Sequence, residues 1–439
     1  MKFKFPVHLL LMKLIPASVA VHQVKNYHVS TLAEASPVLS FAGPSAIKVP
    51  FTSYIDQKRI FDRPGNSATP SEASSSTQLV PSEQTTSSTS KPNVIPFADL
   101  NKRYQQYISG TLANSSRKCS AKNVRHRRSW AKLSDDDRKS YLNSVHCLHN
   151  GISSKFTQVP GAKFRADDLT THHIISGGIY VFTGFMLPFH RWMIQVYEDM
   201  LRDECDYKGA IPFWDFSEHT GDITKDPIFS GNSTSMGGNG APVPRGHGWV
   251  ELDYLSGKKS VPPGSGGSCL FNPPFRTITY EGGVTSWDAI SFRDRCLTRD
   301  LNTWAGQLLN IAHVEYDLSC TNIGCLQERL NGAQPGYPYL LNLMNSVRFS
   351  VGGLQLDPFA APTDPIYYLA AANIDRLWAI WQAQEPNVRV NQTGGTHRPM
   401  GMGGAVKPSD IMIMLTPGTL RPVSDFSSTI DGTLCYCYE

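Results

Sequence analysis

Apolar residues recur with helical spacing in four stretches of this 439-residue chain. In "PFHRWMIQVYEDMLRDEC" (188–205), Phe189, Trp192, Met193, Val196, Tyr197, Met200 and Leu201 share one face, and Pro188 stands at the start. In "SWAKLSDDDRKSYLNSVHCLHN" (129–150), Ser134 is placed to cap a helix. Asp135, Asp136 and Asp137 meet its positive end, and Tyr141, Val145 and Leu148 follow at helical spacing. A third helix is "YLLNLMNSVRFSVGG" (339–353), closed by Gly352 and Gly353. The fourth, "DPIYYLAAANIDRLWAIW" (364–381), reads as a buried helix with three alanines in a row at Ala370, Ala371 and Ala372. Bulky Tyr368 and Leu369 precede them, and Asn373, Asp375 and Arg376 follow. The pattern predicts a mainly α fold, a four-helix bundle with long loops, the longest being the Gly/Pro-rich residues 230–268. Sites in such bundles are built from side chains on facing helices.

Composition adds the ends of the chain to this picture. "MKFKFPVHLLLMKLIPASVA" (1–20) has two early lysines, an apolar run and small residues at Ser18 and Ala20, the pattern of a secretion signal. No later stretch reaches the roughly 18 apolar residues of a spanning helix, so no membrane span is expected in the mature chain. Residues 67–90 are nearly all Ser, Thr, Pro, Glu and Gln and cannot bury a core; they predict a disordered linker within an N-terminal segment of 21–115. A helical domain over 116–420 and a C-terminal tail over 421–439 complete the expected organisation.

The net charge is only +4, which gives no electrostatic case for a nucleic-acid partner. The densest basic run, residues 117–128, is expected to be a solvated face. Nine cysteines at irregular spacing point to disulfides and the secretory route rather than to structural zinc, and the odd count leaves at least one free thiol. Sequons at Asn114, Asn232 and Asn391 agree with secretion as a glycoprotein. No Ser-His-Asp arrangement, phosphate loop or carboxylate pair stands out, so no catalytic residue is assigned. His146 and His149 are expected at the surface or with satisfied ring nitrogens.

The order of motifs carries a further reading. "HRW" followed by "YE", "RDEC", "PFWDF", "VGG", "PTDP" and "ANIDRLWAIWQ" resembles the tyrosinase family, whose domain holds a type-3 pair of coppers; the likeness spans about 117–385. The closing "LCYCYE" also resembles the end of short secreted fungal members. The resemblance implies copper as cofactor, held by six histidines, three from each helix pair. Neutral imidazole suits both copper oxidation states.

Carried over position by position, the implied ligand set is largely missing. The histidine of "HRW" is His190. Nine residues earlier stands Val181 instead of histidine. The first ligand position falls on His173, with His172 as neighbouring candidate. The H-x-x-x-H ahead of "VGG", which would place two imidazoles on one helix face, is Met344 and Arg348 here. The last ligand comes from a His-His pair that is Ala370-Ala371 here, with Ala371 as the ligand position. Arg348 puts a permanent cation where a metal dication would sit, and Asp375, one turn after Ala371, is the expected partner for it.

By resemblance the chain is a phenol- or catechol-oxidising copper oxidoreductase; by its residues it lacks that activity. Three functions compete. One is an accessory or non-oxidative member of a fungal biosynthetic pathway for natural products such as modified peptides or phenolic metabolites. The second is an oxidase of phenolic or tyrosyl substrates with a single copper at His173 and His190. The third is a binding protein, for a phenolic or tyrosine-containing small molecule or peptide, or for an intact paralogous tyrosinase.

Overall fold

Ten α-helices and four two-stranded sheets form the described part of this computed structural model, residues 94–113, 118–244, 250–254, 257–270, 296–332, 338–398, 401–431 and 433–439. The expected signal, the linker and the sequon at Asn114 lie outside these residues. In chain order the elements are α1 (Phe97–Leu112), β1 (Arg125–Arg127), α2 (Asp135–His146), α3 (Arg165–Tyr180), α4 (Met186–Glu204), β2 (Val250–Tyr254) and β3 (Gly257–Val261). Then follow α5 (Thr303–Gly306), α6 (Ile311–Leu318), α7 (Ile323–Asn331), α8 (Leu343–Val351), α9 (Ile366–Gln382) and α10 (Pro386–Arg389). The chain closes with β4 (Thr396–Arg398), β5 (Met402–Ala405), β6 (Ile411–Met414), β7 (Thr419–Pro422) and β8 (Tyr436–Tyr438). The fold is mainly α, and the four periodic stretches are helices α2, α4, α8 and α9.

Helix α9 is the axis of the core. All its residues are buried except Tyr367 and Ala371, which lie one turn apart on the same face. It packs against α4 and α1. The tie to α4 is the Tyr197–Tyr368 pair, stacked with ring centroids 3.6 Å apart and planes 1° from parallel. Each buried aliphatic side chain of α9, such as Ile366, Leu369 and Ile380, contributes about 1.5–3 kcal/mol by leaving water. Helix α1 buries Leu100, Tyr104, Ile108 and Leu112 in this same core, and so do Tyr436 and Tyr438 at the chain's end.

Local chemistry sets the helix ends. The Ser134 side chain accepts from Asp137 N at the start of α2. Asn342 does the same for Asn345 N at the start of α8, at 2.8 Å. Helix α3 has no apolar stripe, and the sequence pattern did not announce it. Asp167 begins it by accepting from the backbone N–H of Lys163 and Phe164, both at 2.8 Å, the reach-back of a first-turn carboxylate. At the end of α8, Gly352 and Gly353 have φ 65° and 54°. A Cβ at Gly353 would overlap the Thr298 carbonyl.

Three expectations need correction. The basic run is not simply a solvated face. Arg127 is wholly buried, with its Nε 2.9 Å from Glu198 Oε2, and Arg125 reaches Glu198 and Asp199 at 2.6 and 2.9 Å. The cause is β1, which pairs in parallel with β8 and lays Arg127 over the Tyr436 ring at 3.4 Å. The 230–268 stretch is not loop throughout, because it contains the antiparallel hairpin β2–β3. His149 is buried, and its Nε2 has no hydrogen-bond partner among the described residues.

Cysteine arithmetic resolves into four disulfides, Cys119–Cys435, Cys147–Cys205, Cys269–Cys296 and Cys320–Cys325. Cys437 is the free, buried thiol. None of the described helices is long and apolar enough to cross a membrane.

Candidate functional site

Helices α4, α8 and α9 line a cavity of about 50 Å³. Helix α3, and not α2 as the periodic stretches suggested, is the further helix at the site, and it reaches it through the contact of His173 with His190. Met186, Leu187, His190 and Arg191 face the cavity from α4, and Met344, Val347 and Arg348 from α8. Tyr367, Ala370, Ala371, Ile374 and Asp375 face it from α9, with Gln355 beside them. Met344 and Arg348 share the cavity because residues four apart lie on one helix face. The same rule puts Tyr367 beside Ala371, and both less-buried positions of α9 look into the cavity.

His173 and His190 meet at its edge. Their Nε2 atoms are 3.4 Å apart. His173 Nδ1 donates to the Phe359 carbonyl and His190 Nδ1 to the Met186 carbonyl, each at 2.6 Å. With both Nδ1 positions protonated in neutral rings, both Nε2 atoms are acceptors. The Tyr367 hydroxyl, 3.2 Å away, donates to His173 Nε2. Burial, with a smaller push from the Arg348 charge, lowers the pKa of His190 to about 4. Burial first, then the neighbouring His190, holds that of His173 well below the usual histidine range. Burial raises the Tyr367 hydroxyl, so it stays protonated.

The choice between the neighbouring histidines is clear. His172 turns away: its Nδ1 is 3.1 Å from Ser176 Oγ, and its ring lies against Phe189. The remaining positions fall in two groups. Met344, Arg348, Ala370 and Ala371 line the cavity with His190. Val181 does not; it is buried just past the end of α3, where the chain turns through Phe182 at φ 60°. Among the described residues no group of three or more His, Cys, Asp or Glu could hold a metal ion.

The expected Arg348–Asp375 pair does not form. Asp375 Oδ1 accepts from Arg191 Nε at 2.6 Å, and its Oδ2 accepts from the Tyr436 and Tyr438 hydroxyls, both at 2.6 Å. Both carboxylate oxygens are thus engaged by groups that the helix spacing of Arg348 and Asp375 did not bring into view. Sequence reasoning also passed over Tyr367, although its place one turn before Ala371 was a usable signal. Of the sequons, Asn232 and Asn391 are exposed. His219, His313 and His397 lie outside the cavity, each beside a carboxylate, Asp226, Asp317 and Asp410 respectively.

The helical core thus sets two imidazoles from adjacent helices facing one another. The chain belongs to the tyrosinase family: residues 179–384 match the common central domain of tyrosinase. It is 29% identical over 341 residues to tyrosinase P of Aspergillus terreus, covering 73% of this chain and 93% of that one. It is 30% identical over 244 residues to the oxidase hkm6 of Aspergillus hancockii, 52% of this chain and 84% of the relative. Against a polyphenol oxidase from Thermothelomyces thermophila the TM-score is 0.70 at 27% identity, over 78% of this chain and 97% of the other.

Proposed function

We propose that this protein serves a fungal biosynthetic pathway for phenolic or modified-peptide metabolites as a tyrosinase-family member without a dicopper centre. Its role is then accessory or non-oxidative. The observation that carries the reading is Arg348. Its guanidinium lines the cavity that His190 edges, on the helix that would supply two imidazoles, and the facing wall of α9 is Ala370 and Ala371. A permanent cation in that place opposes a bound dication. The family implies copper, but two imidazoles do not fit a pair of coppers. His173 and His190 are the residual metal-ligand positions in this reading, and Val181, Met344, Arg348 and Ala371 the lost ones. Relatives support the biosynthetic side. One, 28% identical over 352 residues with 73% of this chain and 94% of its own length covered, is an N-acetyl-6-hydroxytryptophan oxidase from Emericella nidulans. A hydroxylated aromatic ligand class is carried over from it. Partnership with an intact paralogous tyrosinase belongs to the same proposal, as does passage through the secretory pathway with glycans on Asn114, Asn232 and Asn391.

A second reading has one observation in its favour. Two Nε2 acceptors 3.4 Å apart leave room for one metal ion at ordinary metal–imidazole distances of about 2.0–2.1 Å, with the protein's backbone carbonyls fixing both rings. Metal analysis of the purified protein decides between the readings, together with an assay of catechol oxidation. The first expects well under one copper per chain and no oxidation. One tightly held copper lost on mutating His190 would establish the second. Two coppers with catechol turnover would overturn both.

A further inference from the structure

Arg348 leaves a need that no described residue meets. Its guanidinium is half-buried on the cavity wall, and among the described residues none accepts a hydrogen bond from it or pairs with it. The one carboxylate on the same wall, Asp375, is already engaged by Arg191, Tyr436 and Tyr438. With Arg191 matched by Asp375 and His190 neutral, the lining carries one uncompensated positive charge. Gln355 adds a further donor. Its side chain is buried, and its amide Nε2 gives one hydrogen to the Ala361 carbonyl at 3.0 Å and keeps the second.

The other polar edge calls for a donor instead. His190 Nδ1 donates to the Met186 carbonyl, so its Nε2 accepts. The ring atom that faces it, His173 Nε2, is an acceptor too, and the Tyr367 hydroxyl donates to that ring. Between the two edges the wall is apolar, made by Met344, Val347, Ala370, Ala371 and Ile374. Such a wall strengthens a charge–charge contact by keeping water away from it. Size narrows the choice of ligand further. One water needs roughly 10–15 Å³ of space of this kind. A cavity of about 50 Å³ therefore takes a group of a few heavy atoms and excludes an aromatic ring.

We propose that this cavity binds hydrogencarbonate, its paired oxygens on the Arg348 guanidinium and its O–H donated to His190 Nε2. A guanidinium fork matches a carboxylate-type pair of oxygens with two parallel hydrogen bonds, and the Gln355 amide is the further donor. Hydrogencarbonate has the small size, the single negative charge and the one O–H that the two edges call for. Chloride, nitrate and formate supply the charge but no donor, and they leave His190 Nε2 facing an anion. Water supplies the donor but leaves Arg348 without an anion. Binding makes and breaks no covalent bond and moves no electron. The proposal goes beyond the accessory role and rests on one part of that reading, the absence of a dicopper centre.

The test follows carbon-labelled hydrogencarbonate by NMR line width on the full, chelator-treated chain, near neutral pH and at constant ionic strength. A ligand of so few heavy atoms binds no tighter than a few tens of micromolar, so saturation is expected between about 0.1 and 10 mM. Nitrate matches hydrogencarbonate in charge and closely in size but lacks the O–H. It is expected to displace the label at least about tenfold less well than unlabelled hydrogencarbonate does, and chloride and formate likewise. Arg348→Met should abolish saturable binding, while Arg348→Lys keeps part of it. No saturation up to about 50 mM, equal displacement by nitrate and hydrogencarbonate, or binding that survives Arg348→Met overturns the proposal. The comparison of anions on the wild-type chain holds even where the variant does not fold. Copper content, measured on the same protein before chelation, tests the underlying reading separately. Two coppers per chain would sink that reading and the proposal with it, whereas a copper-free chain that ignores hydrogencarbonate would sink the proposal alone.

Discussion

Arg191 and Asp375 form a buried ion pair on the cavity wall, Nε to Oδ1 at 2.6 Å, with side chains 0% and 3% exposed. Two tyrosines from the C-terminal strand complete the carboxylate, and Arg191 also donates to the carbonyls of Phe426 and Ser427. The pair thus fastens α4, α9 and the chain's end together, and it leaves Arg348 outside the network.

From this comes a difference between two arginines on one cavity. Arg191→Met strands a buried carboxylate and should cost about 3–5 kcal/mol. Asp375→Asn, which strands Arg191, should cost about as much. Arg348→Met removes no partner and should change stability by about 1 kcal/mol or less. Denaturant unfolding of the three variants and of the Arg348→Met/Asp375→Asn double variant checks this. Additive effects are expected for the double variant; a coupling above about 1 kcal/mol between Arg348 and Asp375 would contradict the network described here.

The glycine pair after α8 gives a second prediction. Gly353 combines φ 54° with a Cβ direction that runs into the Thr298 carbonyl. Gly353→Ala should cost roughly 1–3 kcal/mol from backbone strain alone, with the steric overlap added. It should also disturb the cavity, because Arg348 lies one turn before this stop, and Gly352 N donates to the Arg348 carbonyl at 2.8 Å. Wild-type stability for Gly353→Ala in thermal unfolding would show that the turn tolerates a side chain.

The disulfide Cys119–Cys435 ties the start of the core to its end across 316 residues. It stands beside the β1–β8 pairing that seats Arg127 under Tyr436. Replacing both cysteines by serine should cost about 2–5 kcal/mol and loosen the tail first. Hydrogen exchange at Tyr436, Cys437 and Tyr438 should rise before exchange in α9 does; unchanged protection there would mean that the strand pairing alone holds the tail.

What the sequence could reveal follows from which interactions are local. Ser134, the Gly352–Gly353 stop and the stripe of α4 depend on neighbours within a turn or two, so they were legible. The order of motifs likewise revealed the family and put His173 and His190 near one another. Helix α3 was hidden because its fixing interaction is a buried carboxylate, Asp167, on two backbone N–H groups, and its Thr170, Thr171, His172 and His173 mask any apolar period. The partner of Asp375 was misread because helix spacing measures neighbours along α9. Arg191 arrives from α4, 184 residues earlier, and Tyr436 from 61 residues later. Arg127 shows the same limit: a basic run is polar on paper until a distant strand covers it.

Buried neutral histidines away from the cavity give the last prediction, an acid sensitivity. Burial lowers the pKa of His149 to about 3 and that of His313 to about 4. In the unfolded chain both titrate near 6.5. Between those values the unfolded state holds more protons than the native state, so stability rises with pH there and is lost as pH falls below about 6.5. The loss continues until the native pKa is reached. Each group contributes a slope of about 1.4 kcal/mol per pH unit at its full effect. Asp167, whose buried carboxyl is pushed up to about 7, and the other buried histidines titrate across the same range, so it is the difference between wild type and variant from pH 6 to 5 that isolates His149. His149→Leu removes one such group, and it also removes a buried Nε2 without a partner. Its stability, measured by urea unfolding at several pH values, should fall less steeply through that window than the wild type's, by up to about 1.4 kcal/mol per pH unit. Above pH 7 the difference between the two proteins should no longer change with pH. An unchanged slope would mean that His149 reaches water and takes up its proton in the native state, and the acid sensitivity would then have to be assigned elsewhere.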